Sequence, residues 1–196
     1  MMDAKRTLVP GLVLFLTACG SSPPARFYSL HALDLAYHPD ANEAVLMYVG
    51  PLRLPEYLAR PQIVTRGDGS EMLIDDYHRW AEPLDDAIPR IVAMNVDNLV
   101  EGVIVVAFPS GNVLEADYRL QGSIVRFDAD AAGRAVLVAQ WGISKPDGNF
   151  LVPPRKSRYE ASASPTGDPG AVATALNDTV AQFSREIAAE IEARLD

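Results

Sequence analysis

Residues 113–128 alternate between apolar and polar side chains. Leu114, Ala116, Tyr118, Leu120 and Ile124 fall on one side; Glu115, Asp117, Arg119, Gln121 and Ser123 fall on the other. A period of two is that of a long strand with one face covered and one face wet. Gly122 within it reads as a bulge. Residues 130–133 turn the chain, and 135–144 return with Leu137, Ala139, Trp141 and Ile143 inward. A second turn over 146–149 leads into a final strand, 150–162. Earlier in the chain, 27–30 reads as a first strand, 34–43 as a polar loop, and 45–54 as a strand in which Gly50-Pro51 marks a bulge or an edge. Residues 60–66 and 71–75 form a hairpin around Gly67-Asp68-Gly69. Residues 103–108, VIVVAF, are apolar at every position, which predicts a strand buried on both faces.

Two segments change period. Over 82–100, Leu84, Ala87, Ile88, Ile91, Val92, Val96 and Leu99 share one helical face. Pro83 suits the first turn, and Asp85 and Asp86 complement the positive end of the helix dipole. Pro89 does not fit a helix interior, where it costs about 3 kcal/mol, so a kink there or a helix starting near it is expected. After a loop over 165–170, the last 26 residues are one amphipathic helix in which Val172, Leu176, Val180, Phe183, Ile187, Ile191 and Leu195 repeat at helical spacing. The order is β-β-β-β-α-β-β-β-β-α. It predicts an α+β fold: a mixed, mostly antiparallel sheet of about seven or eight strands with two long helices packed on one face.

The N-terminus follows a different logic. Lys5 and Arg6 precede an apolar run, 8–16, too short for the roughly 20 residues that span a bilayer and laid out as a secretory signal. It ends in Leu16-Thr17-Ala18-Cys19-Gly20, a lipobox around the single cysteine of the chain. Residues 1–18 are therefore expected to be a signal peptide. Cys19 is expected to be the lipidated residue, carrying diacylglycerol and an amide-linked acyl chain such as palmitate. Two or more chains satisfy the two-signal requirement for stable anchoring. Gly20, Ser21 and Ser22 stand where an Asp retains lipoproteins in the inner membrane of diderm bacteria. The expected address is thus the periplasmic leaflet of the outer membrane. Residues 19–26 form a lipidated tether reaching roughly 20 Å, and 27–196 a single domain.

Composition closes several doors. Removing residues 1–18, which hold Lys5, Arg6 and Asp3, takes the formal charge from −9 to −10. Such an acidic chain is not a nucleic-acid binder and shows no polybasic run to grip anionic headgroups. With one cysteine there is no disulfide and no thiolate metal site. His31, His38 and His78 are scattered, without metal-ligand spacing. No G-x-S-x-G elbow and no phosphate loop occur. His78 beside Asp75 and Asp76 lacks a nucleophile in its neighbourhood of the sequence. No catalytic residue, metal site or cofactor is expected.

Arg26-Phe27-Tyr28-Ser29-Leu30, then 54–66 (LPEYLARPQIVTR), then Arg79-Trp80-Ala81-Glu82-Pro83-Leu84 opening a helix, and finally the Gln140-Trp141 pair form a connected set of motifs. Together with the lipobox they resemble the PqiC (YmbA) family, auxiliary lipoproteins of ABC-type transport systems, over almost the whole mature chain. The resemblance implies an outer-membrane component of a system that transports lipids or other hydrophobic compounds between membranes. It implies partnership with an MCE-domain protein and permease subunits, a docking role for the periplasm-spanning MCE assembly, and support of envelope integrity. It leaves a homo-oligomer open. Pro89 departs from the helix former expected there.

Arginine and aromatic side chains dominate interface hot spots, so Tyr57, Arg60, Arg66, Arg79 and Trp80 are the partner-binding candidates. The competing reading pairs Arg60 and Arg66 with Glu56, Asp75 or Glu82 and places Trp80 over the core. A lipid carrier, or a structural envelope lipoprotein with no MCE partner, is the alternative function. The carrier needs a sizeable apolar cavity between sheet and helices.

Overall fold

The computed structural model describes residues 23–34, 45–109 and 116–195. The signal segment, Cys19 and the start of the tether lie outside them. The order of elements is the expected one: β1 (Arg26–Tyr28), β2 (Val45–Arg53), β3 (Gln62–Arg66), β4 (Met72–Trp80), α1 (Leu84–Leu99), β5 (Val103–Ala107), β6 (Tyr118–Asp130), β7 (Arg134–Ser144), β8 (Phe150–Ser162) and α2 (Pro169–Leu195). A single 3-10 turn, Glu56–Leu58, joins β2 to β3. The eight strands form one mixed sheet, and both helices cover one face of it.

The sheet forks at β6. One edge of β6 pairs antiparallel with β7 along nearly its whole length, and β7 pairs antiparallel with β8. The other edge is shared. β2 runs parallel to its first half, from Met47 opposite Tyr118 to Arg53 opposite Ser123, whereas β3 meets only its end, Thr65 and Arg66 opposite Ala129 and Asp130. β5 extends the β2 branch in parallel. β4 extends the β3 branch antiparallel, and β1 adds a parallel edge to β4. The ladder of β6 slips between Ile124 and Arg126, so the bulge sits at Val125, between the two branches. An extra residue bends a strand, and here it turns β6 from one partner to the other.

That placement corrects the expectation for Gly122. It is in register with Leu52 and Trp141. Its reason is close approach: a Cβ there would lie 2.1 Å from the Gln140 carbonyl oxygen. The expected irregularity at Gly50-Pro51 is present, as a register shift between Val49 and Leu52. β5 is not buried on both faces. Among the described residues it pairs only with β2, and Ile104 is 37% exposed. An all-apolar run does not distinguish a central strand from an edge one. β4 is longer than the hairpin partner expected over 71–75, and Arg79 and Trp80 close it rather than open the helix.

α1 starts after Pro83 and runs through Pro89 to Leu99, so the helix does not begin at the proline. Pro89 is buried, and its Cβ lies 3.7 Å from where a Cβ on Gly50 would be; the ring packs over the irregular backbone of β2. α2 opens on a well-formed cap: Asp168 accepts from the backbone N–H of Gly170 and Ala171 at 3.3 and 3.1 Å, with Pro169 at the first helical position. Between helices and sheet the core is closed. Phe183 meets the Trp141 ring edge-on with centroids 5.7 Å apart and lies 5.6 Å from Tyr159. Ile88, Val92, Val96, Val180, Phe183 and Ile187 are wholly buried, each such side chain contributing about 1.5–3 kcal/mol.

After β1 the chain crosses the helical layer as a strap. The backbone N–H of His31 donates to Asn177 Oδ1 at 2.9 Å, and that of Leu33 donates to Asn95 Oδ1 at 2.7 Å. Asn95, fully buried, also donates to Ser184 Oγ at 3.1 Å and so joins α1, α2 and the strap at one point.

Candidate functional site

The fold brings the two central motifs together. Gln62 of β3 stands opposite Arg79 of β4, and the Trp80 N–H donates to the Pro61 carbonyl at 2.6 Å. The next N–H, of Ala81, donates to the Tyr28 carbonyl of β1 at 2.7 Å. Residues 58–61 and 80–85 thereby line one groove of about 380 Å³. Its floor is Leu58, Trp80 and Leu84, all nearly buried. Arg60, Glu82 and Asp85 stand on its rim. Glu82 is ion-paired to Arg90 of α1, which leaves the Arg60 guanidinium exposed and, among the described residues, without a hydrogen bond or ion pair.

Tyr57 and Arg66 point elsewhere. The Tyr57 hydroxyl donates to Asp128 Oδ2 at 3.0 Å, Arg66 Nε to Oδ1 at 2.9 Å, and Arg126 Nε to the same oxygen at 2.7 Å. The Asp128 side chain is fully buried, on the face of the sheet opposite the helices. Arg66 also lies over the Tyr57 ring, 6.0 Å from its centroid. Burial pushes the Tyr57 phenol above its ordinary value, and the Asp128 charge pushes it further. The hydrogen bond to Asp128 makes Arg66 more basic still. The expected partners of Arg66 were Glu56, Asp75 or Glu82; the actual one is Asp128. Continued past Ile124, the period of two would put Asp128 on the same side as Leu120 and Ile124; the bulge at Val125 moves it to the other face. Only the fork, which brings Tyr57 and Arg66 over it, makes it buried.

Arg79 is half-buried and donates from Nε to the Asp76 carbonyl at 2.8 Å. Trp80 is 5% exposed and packs 6.1 Å from Phe127, so it is core that also floors the groove. Of the five candidates, Arg60 and Trp80 share the groove, Arg79 adjoins it through β4, and Tyr57 and Arg66 belong to the Asp128 network behind the fork.

His78 Nδ1 lies 2.8 Å from Asp75 Oδ2, stacked on Tyr28 with centroids 5.9 Å apart. Burial raises the Asp75 pKa, but the N–H of Tyr77 and His78 outweigh it and hold the carboxyl below its ordinary value. Among the described residues no group of three His, Cys, Asp or Glu side chains could hold a metal ion. Among them, too, no helix is long and apolar enough to cross a membrane. The arrangement is an exposed cation on an apolar-floored groove.

Comparison with known proteins gives the chain's relatives. The sequence profile of the ABC-type transport auxiliary lipoprotein component family matches residues 28–188. The intermembrane transport lipoprotein PqiC of Escherichia coli is 23% identical over 139 residues, 70% of this chain and 73% of the relative; its Shigella flexneri counterpart matches equally. A crystal structure of an uncharacterized protein superposes with a TM-score of 0.70 at 23% identity, covering 86% of this chain and 99% of that one. A protein from Xanthomonas campestris gives 0.66 at 20% identity, over 84% and 93%. Both share the fold. The chain belongs to the family of ABC-type transport auxiliary lipoprotein components.

Proposed function

We propose that the protein is the outer-membrane lipoprotein of an intermembrane transport system, anchored through Cys19 in the periplasmic leaflet, and that it docks a periplasm-spanning MCE-domain partner through the groove between 58–61 and 80–85. The observation that carries this reading is the convergence of the two motifs on one exposed groove, with Arg60 unpaired on its rim. Family membership supports the transport role, and the relative from Escherichia coli is named an intermembrane transport lipoprotein. Arg79 extends the docking surface along β4, and Tyr57, Arg66 and Trp80 support it from behind. The packed sheet–helix interface weighs against a carrier holding lipid between the two layers.

A photo-crosslinker placed at position 60 or 79 in cells is expected to capture the MCE-domain protein, and one at Glu192, exposed on α2, is not. Absence of that product from both groove positions would remove the docking site.

A further inference from the structure

No basic run exists in the sequence, yet the fold assembles a basic surface. Register places Arg53 of β2, Arg119 and Arg126 of β6, Arg134 of β7, and Lys156 and Arg158 of β8 on the sheet face opposite the helices. The carboxylates of these strands on that face are Asp128, Asp130 and Glu160. Each is already held: Asp128 by Arg126 and by Arg66 from β3, Asp130 by Arg134, Glu160 by Arg158. Arg53, Arg119 and Lys156 have no acidic partner among the described residues, and among these the buried Arg119 Nε finds no acceptor. In a chain of net charge −9 the cations are thus concentrated on one side.

The same face carries a shallow depression of about 580 Å³, where Gln121, Ser123, Gln140 and Ser144 stand beside Lys156. None of these side chains has a hydrogen-bond partner among the described residues. Two apolar side chains project nearby, Phe150 at 56% exposure and Val125, the bulge residue, at 40%. Unpaired cations, free amides and hydroxyls, and an exposed aromatic are the composition of a surface that meets lipid headgroups. The position fits as well. β1, which continues the tether, is three strand spacings from β6, about 14 Å, within the roughly 20 Å that the tether reaches.

We propose that this face is a docking surface for an anionic phospholipid leaflet, a second membrane contact that orients the anchored domain with its sheet toward the headgroups. The proposal rests on the anchored reading above for its geometry, and on charge complementarity for its occupant. Each unpaired cation at such a surface is worth about five-fold in partitioning.

The test uses the full acylated protein in phosphatidylcholine vesicles, with or without phosphatidylglycerol. A thiol-reactive fluorophore is attached at Gln140→Cys on the sheet face or Glu192→Cys on α2, and quenching by headgroup-labelled lipid is read. Position 140 is expected to be quenched more than 192, only with phosphatidylglycerol present, and less at high salt. Arg53→Glu with Lys156→Glu is expected to weaken that quenching ten-fold or more while the circular dichroism spectrum is unchanged. Quenching at 140 that ignores phosphatidylglycerol, that equals position 192, or that survives the charge reversals would overturn the proposal. So would protection of position 140 that grows with protein concentration and needs no anionic lipid, which marks a second copy on this face. A chain that floats with phosphatidylglycerol vesicles but not with phosphatidylcholine would sink the anchor and keep the face.

Discussion

Asp128 keeps its side chain wholly out of water and shares its charge with two guanidiniums and a phenol. Removing a charge from such a cluster leaves its partners facing each other. Asp128→Asn is expected to lower stability by about 1–3 kcal/mol, below the cost of a fully buried pair because Arg66 and Arg126 are 36% and 24% exposed and turn to solvent. Urea unfolding of the purified domain measures it; an unchanged midpoint would show that the network contributes nothing. Two phenols supply a pH signature. Burial raises the Tyr57 and Tyr159 pKa values, and hydrogen bonds to Asp128 and Glu186 add to it. Because the folded values lie above the unfolded value near 10, this stability is complete below about pH 10 and is lost as pH rises through the folded values. Absorbance at 295 nm is expected to show a late tyrosine fraction that ionises together with loss of far-ultraviolet dichroism. If all tyrosines ionise before the dichroism changes, the burial argument is wrong.

The order of elements was legible because the long ones carry a clear period: two along β6 and β7, near 3.6 along α1 and α2. What was hidden depends on long-range pairing. The place of the bulge was masked because Gly122 invites one and Val125 does not, yet the ladder slips where β6 changes partner. The edge position of β5 was masked because burial of VIVVAF depends on its neighbours. In the candidate site, proximity of the two motifs was readable from a hairpin, but the Tyr57–Arg66–Asp128 network was not, since Asp128 stands more than 60 positions from both other members. Two substitutions probe these joints. Gly122→Ala puts a Cβ 2.1 Å from a backbone oxygen that cannot swing aside, so β6 and β7 must part. A loss of about 1–3 kcal/mol is expected, with amide exchange accelerated in residues 120–124 and 139–143 first. Asn95→Ala strips acceptor and donor from Leu33 and Ser184. About 1–3 kcal/mol is expected there as well, accompanied by faster proteolysis within 29–34. Uniform destabilisation without local cleavage would mean that the strap is held by other contacts.

For the molecule as a whole, the proposed anchor would set location and the proposed sheet-face contact would set attitude. On the proposed anchoring, Cys19→Ser removes the sulfur that would accept diacylglycerol. The precursor is expected to keep its signal segment and to incorporate no labelled palmitate; labelling at the level of the parent chain would show that the lipid is attached elsewhere. The strap gives the anchor a mechanical side. β1 lies parallel to β4, and its residues Arg26–Tyr28, where the tether ends, pair across to His78–Trp80, transverse to the strand axis. A pull on the lipid therefore loads those bonds together, in shear, instead of peeling them one at a time. Behind them, Asn177 and Asn95 pass the load from residues 31 and 33 into both helices. On the anchored reading proposed above, a force between a docked partner and the lipid is therefore borne by the whole folded body and not by β1 alone.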